Sequence, residues 1–174
     1  MTEAVEDPLG PEAVEVASFG EAHYRAVLGH FATGVTIVTA MDDGQPAGLS
    51  VNSFTSVSLD PPLVAFCVAR GSSTWPRIRA TGRFTVSILA EDQEDLSRVF
   101  ATTGADKFRA VAWWEGPMGG PVLAGALAWI ECTVEAEHDA GDHVMVVGRV
   151  RELDVADEGK PLIFYRGGYG RFEP

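Results

Sequence analysis

Between residues 48 and 62 the chain places Ser50, Asn52, Ser53, Thr55, Ser56 and Ser58 between two apolar stretches and closes the segment with Pro61-Pro62. Six hydroxyl or amide side chains along one extended segment offer donors and acceptors without any charge, and the neighbouring backbone N–H groups add to the row. Directly after it, Leu63-Val64-Ala65-Phe66-Cys67-Val68 is apolar on both faces, which suits a central barrel strand. A second polar cluster, Gly71-Ser72-Ser73-Thr74-Trp75-Pro76, follows within one strand length. A polar outer strand face accounts for either cluster alone. Together they point to a gripped polar ligand, a flat heterocycle or a phosphate.

The rest of the pattern is short strands with small helices between them. Ala22, Ala26, Val27 and Phe31 recur near helical spacing, which predicts an amphipathic helix over Ala22 to Ala32 leading into the core. Val35 to Met41 is rich in β-branched residues, Asp42-Asp43-Gly44 signals a hairpin, and Pro46 to Phe54 returns as a strand. Thr74 to Ala80 reads as a short helix capped by Ser72 or Ser73, and Asp92 to Thr102 as a helix with Leu96, Val99 and Phe100 on one face. Phe84 to Leu89, Trp129 to Glu137, Val144 to Leu153 and Leu162 to Tyr165 read as strands, and Gly104 to Gly125 as a long loop. Six or seven such strands make a mainly β chain with short helices, a small antiparallel barrel. No Gly-rich nucleotide fingerprint joins a strand to a helix, which disfavours a doubly wound sheet.

With 174 residues the chain suits one domain. Its formal charge of −12 includes six acids in the first 21 residues. Residues 1–21 therefore read as an acidic tail, disordered or wrapping a partner subunit, and 22–174 as the domain. Such acidity excludes nucleic acid and anionic membrane as partners. The longest strongly apolar run, Leu63 to Ala69, is too short to span a bilayer. Cys67 and Cys132 sit in strand-like runs and read as free thiols of a reducing compartment, so a cytoplasmic protein is expected. The four histidines show no metal-ligand spacing with each other or with the cysteines.

Six segments in order, Phe31 to Thr39, Gly48 to Pro62, Ser72-Ser73-Thr74, Lys107-Phe108, Gly141-Asp142-His143 and Tyr165 to Tyr169, make residues 22 to 172 resemble the flavin reductase family with the FMN-binding split-barrel fold. The likeness is strongest to the small reductase components of two-component flavin-dependent monooxygenases. It implies an antiparallel Greek-key split β-barrel and a homodimer with one flavin per subunit near the interface. It also implies reduction of FMN or FAD by NADH or NADPH, and delivery of reduced flavin to a separate monooxygenase. The matching positions put Ser50, Val51, Asn52 and Ser53 along the ring and ribityl chain, and Ser56 with Val57 near the ring edge. They put Ser72, Ser73, Thr74 and Lys107 at the phosphate, His143 beside the nicotinamide or ring, and Tyr169 at the cofactor or pyridine nucleotide. Because the hard chemistry belongs to the cofactor, no acid–base triad is called for. The alternative within the same group is a non-catalytic flavin- or haem-binding carrier or sensor.

Overall fold

A computed structural model describes residues 19–104, 106–156 and 158–173, so most of the acidic segment 1–21 lies outside the described residues. The helix α1 (Glu21–Leu28) leads to the two-residue β1 (Thr33–Gly34) and to a hairpin of β2 (Thr36–Asp42) and β3 (Gln45–Val51). At its tip Asp43 (φ 46°) and Gly44 (φ 76°) adopt the left-handed backbone that a two-residue turn between twisted strands needs. Next come β4 (Thr55–Leu59) and β5 (Pro62–Ala69), joined across a cis Asp60–Pro61 bond. The chain continues through α2 (Trp75–Ala80), β6 (Arg83–Ile88), α3 (Glu94–Ala101), β7 (Trp113–Glu115) and β8 (Pro121–Leu123). It finishes with the long hairpin β9 (Ala128–Ala140) and β10 (His143–Val155), then β11 (Leu162–Tyr165) and β12 (Gly168–Arg171).

Seven strands form one antiparallel sheet in the order β3-β2-β6-β9-β10-β5-β4. The chain leaves one half of this sheet after β2–β3, builds the other half, and returns with β6, as a Greek key does. Its inner face encloses Val38, Ala47, Val51, Val64, Phe66, Phe84, Val86, Cys132 and Val146, all buried, so the sheet is curled into a barrel. Phe66 sits edge-on to both Phe84 (5.3 Å) and Trp75 (5.5 Å). Each such ring removed from water contributes about 2 to 3 kcal/mol. Gly148 faces them from β10, where a Cβ would collide with Phe84 Cζ, and the ladder to β9 shifts register beside it.

A second core lies outside the barrel wall. Ile37, on the face of β2 opposite Val38, packs with Val35, Leu89, Phe100, Leu123 and Leu162 beneath α3 and a small sheet of β1, β11 and β12. Having a core on each side explains why β2 is buried at five successive positions.

Three expectations change. The segment 104–125 is not featureless: β7 and β8 pair within it, because Trp113 packs on Phe108 and Trp114 on Trp129. β9 and β10 run thirteen residues each, longer than their apolar alternation, since their charged outer ends still pair with one another. The predicted first helix forms, but it stops at Leu28 and buries none of its residues. Tyr24, Val27 and Leu28 are more than half exposed and Phe31 is 75% exposed. Phe19 stacks on Tyr24 (5.7 Å), and the rest of the helix's apolar side stays largely open among the described residues.

Candidate functional site

The sheet closes imperfectly, and the imperfection makes the site. Thr55 of β4 pairs with Ala65 of β5, and past that point β5 has no strand on its outer edge. Ser53, in the link after β3, takes the place of that strand. The Cys67 N–H donates to Ser53 Oγ (2.9 Å), and the Ser53 hydroxyl donates back to the Cys67 carbonyl (3.1 Å). A serine can do this because its hydroxyl is donor and acceptor together. Around this stitch the seam opens into a groove of about 540 Å³, bounded by residues 49–53, Cys67 to Ala69, Ser72 to Thr74, the end of α3, Lys107 and His143.

Nine of the residues expected at a ligand from sequence meet in this groove: Ser50, Val51, Asn52, Ser53, Ser72, Ser73, Thr74, Lys107 and His143. They come from β3 and the link after it, the β5–α2 turn, the loop after α3 and the start of β10. Three hydroxyls among them are already occupied. Ser53 spends its hydroxyl on the seam, Ser72 Oγ accepts the Trp75 N–H (3.1 Å) at the start of α2, and Ser50 Oγ pairs with Ser97 Oγ. The N-cap of α2 is Thr74, without a side-chain capping bond, so neither Ser72 nor Ser73 is the cap expected from sequence. Ser73 and Thr74 face the groove beside a helix of only six residues, so their own donors matter more than any helix field.

Three predicted residues lie elsewhere. Ser56 and Val57 sit on β4 at an irregularity in its pairing with β5, and Val57 is exposed, so neither lines the groove. Tyr169 is carried by the β11–β12 hairpin into the second core. Its hydroxyl pairs with Ser97 Oγ (2.8 Å), which pairs in turn with Ser50 Oγ (3.0 Å), and the Arg98 guanidinium lies 4.8 Å from the ring centre. Tyr169 thus reaches the groove through two hydroxyls instead of touching it.

Lys107 is the positive charge of the groove. Its Nζ donates to the carbonyls of Gly48 (3.0 Å) and Phe100 (2.9 Å), tying the loop after α3 to β3. An ammonium has three N–H donors, so one remains for a ligand. Partial burial holds its pKa below the usual lysine value, and an anion beside it would reverse that shift. Phe108 anchors the loop by packing edge-on against Phe100 and Trp113.

At the other end, His143 Nδ1 lies 2.7 Å from Asp142 Oδ1. The hydrogen bond from His143, followed by its electrostatic attraction, holds the Asp142 carboxyl below the usual carboxylate range. An ionised Asp142 only accepts, so Nδ1 carries the proton and Nε2 is left to face a ligand.

Several lining residues left no sequence signal. Leu49 and Cys67 line the groove from β3 and β5, while Phe100, Thr102 and Thr103 join it because α3 folds back across β3. Of the two free cysteines, Cys132 is buried inside the barrel and Cys67 half-buried at the groove. Desolvation, with the negative Glu131 beside it, pushes the Cys132 thiol up to about 12, so it stays protonated.

Residues 28–173 match the family described as flavin reductase like domain. The reductase subunit HsaB of a flavin-dependent monooxygenase from Rhodococcus jostii (strain RHA1) is 45% identical over 165 residues, which is 95% of this chain and 85% of that protein. An NADH-dependent flavin reductase of a Rhodococcus species is 43% identical over an aligned length of 183 residues, covering 100% of this chain and 98% of its own. A crystal structure described as nitrilotriacetate monooxygenase component B, from Mycobacterium thermoresistibile, superimposes with a TM-score of 0.85 at 46% identity, covering 88% of this chain and 87% of the other.

Proposed function

The chain belongs to the flavin reductase-like domain family, and from that footing we propose that it is an NAD(P)H:flavin oxidoreductase that reduces FMN or FAD in the seam groove and supplies a separate monooxygenase component. The observation that carries this reading is the meeting, in one groove, of a row of uncharged donors with a single ammonium at one end and an oriented imidazole near the other. That donor set fits a flavin: amide and hydroxyl groups suit a ring and ribityl chain, and an ammonium with an open N–H suits a phosphate. Relatives named as reductases favour catalysis over a carrier or sensor.

A bound flavin supplies the redox chemistry, accepting hydride from a dihydronicotinamide. The protein's part is placement. Val51, Asn52 and the backbone beside them align the ring along β3, Ser50 is held in line by Ser97 and Tyr169, and Ser73, Thr74 and Lys107 fix the phosphate end. Asp142 orients His143 so that Nε2 meets the incoming nicotinamide, which holds the two rings in reacting contact. Ser56 and Val57 of β4 lie outside this groove and carry no role in this reading.

Oxidation of NADH or NADPH dependent on added FMN or FAD tests the reading, and no turnover with any pairing would end it. His143→Ala is expected to raise the KM for the nicotinamide about tenfold while flavin affinity stays unchanged, the cost of one lost orienting contact of about 1.4 kcal/mol.

The largely open apolar side of α1 belongs to the same proposal. Tyr24, Leu28, Phe31, Phe54 and Phe164 line a groove of about 680 Å³ that meets the first at Asn52 and Ser53. A second copy of the chain covers it, making a homodimer with each flavin near the interface. Light scattering is expected to give twice the 18.6 kDa chain mass, and Phe31→Asp to shift that value toward one chain.

A further inference from the structure

The ligand groove does not end at Lys107. Ser73, Thr74 and Lys107 line it on one side and also line a second groove of about 480 Å³ on the other. They therefore form the boundary, or neck, at which the two grooves adjoin. The second chamber is walled by the tip of the β2–β3 hairpin (Gln45, Pro46), by Arg77 of α2 and by Asp106 to Phe108. The donors expected to hold a flavin phosphate thus stand where two grooves meet.

On the flavin reading above, we infer that the second chamber takes the adenylate arm of FAD, that this protein prefers FAD to FMN, and that Arg77 is the residue that sets the preference. Charge placement supports this. FMN ends in one phosphate of nearly two charges, which calls for concentrated positive charge. The neck offers one ammonium with one open N–H. A diphosphate spreads about the same charge over two phosphorus centres, one for the neck and one for the chamber beyond it. Arg77 stands there with its Nε–H committed to Asp42 (2.8 Å). Among the described residues no other partner takes its terminal amino groups, which leaves a planar pair of donors for the outer phosphate. The remaining walls suit a nucleoside: Pro46 and Phe108 offer apolar faces to a base, Gln45 an amide to its edge, and Asp106 a carboxylate to ribose hydroxyls. Phe108 is pinned by Phe100 and Trp113, so its ring is a preformed surface.

The test is an equilibrium titration of the full-length protein with riboflavin, FMN and FAD, followed by the quenching of flavin fluorescence. Wild type is expected to bind FAD about tenfold more tightly than FMN. Arg77→Ala removes most of that difference by weakening FAD about tenfold while FMN changes less than twofold. Arg77→Lys, which keeps a charge but loses the planar fork, restores part of it. In turnover, Arg77→Ala raises the KM for FAD and leaves kcat alone. Equal affinity of wild type for FAD and FMN overturns the inference without touching the reductase reading, and so does an equal loss for both flavins in Arg77→Ala. Failure of the wild type to bind any flavin overturns the reductase reading itself.

Discussion

Replacing Lys107 with Met is expected to raise the dissociation constant for FMN by about 30-fold while leaving riboflavin nearly unchanged. One charge-assisted hydrogen bond to a phosphate contributes about 2 kcal/mol in a partly solvated groove. Riboflavin lacks the phosphate and so reports the rest of the site. Equal losses for both flavins would show that Lys107 serves only to tie the loop to Gly48 and Phe100. The same residue gives the binding a pH dependence of definite sign. In the free protein burial holds the Lys107 pKa below its ordinary 10.5, and a bound phosphate raises it. Phosphate binding is then fully supported below the free-protein value and is lost as pH climbs from that value through the raised one. Titrations from pH 7 upward check this: FMN affinity is flat near neutrality and falls on the alkaline side below pH 10.5, and the fall vanishes in Lys107→Met.

Replacing Glu131 with Ala is expected to cost about 3 kcal/mol of stability and lower the melting temperature by roughly 6 to 12 °C. Glu131 is 2% exposed on β9. It holds the β7–β8 turn by accepting the N–H groups of Met118 (2.7 Å) and Gly120 (3.1 Å). The turn is shaped around it, for a Cβ on Gly116 would lie 2.6 Å from the carboxylate. Alanine leaves two backbone donors without their acceptor beside a cavity of about 470 Å³, and water entering there offsets part of the loss. Glu131→Gln should fall between the two, because only one of its side-chain oxygens survives as an acceptor. Thermal unfolding followed by circular dichroism checks both, and unchanged melting in Glu131→Ala would mean that the turn closes without it.

Glu131 also illustrates what local pattern could not show. In sequence it is one charge in an alternating strand, indistinguishable from Glu135 or Glu137. Only the closure of β6, β9 and the β7–β8 hairpin around one point buries it. The same holds for Tyr169, which the family likeness placed at the cofactor. The turn at Gly167 (φ 79°) aims the ring at α3, and two serines separate it from the groove. Ser53 was legible as a candidate site residue, but its use as a substitute strand was not, because that depends on where β4 stops pairing with β5.

Much of the architecture was nevertheless written in local chemistry. Left-handed turns at Asp43-Gly44 and Gly141, the doubly apolar run in β5 and the β-branched β2 each follow from backbone sterics and periodicity within a few residues. The polar rows at 50–53 and 72–74 stood out as candidate ligand donors for the same reason, since their donors are adjacent in the chain. What only the tertiary structure decided is which distant groups share a volume. Lys107 meets Gly48 across 59 residues and Arg77 meets Asp42 across 35. Such encounters depend on how the barrel closes and how the helices lie across its seam. Closure is a cooperative property of the whole packed chain, so no short stretch of residues encodes it.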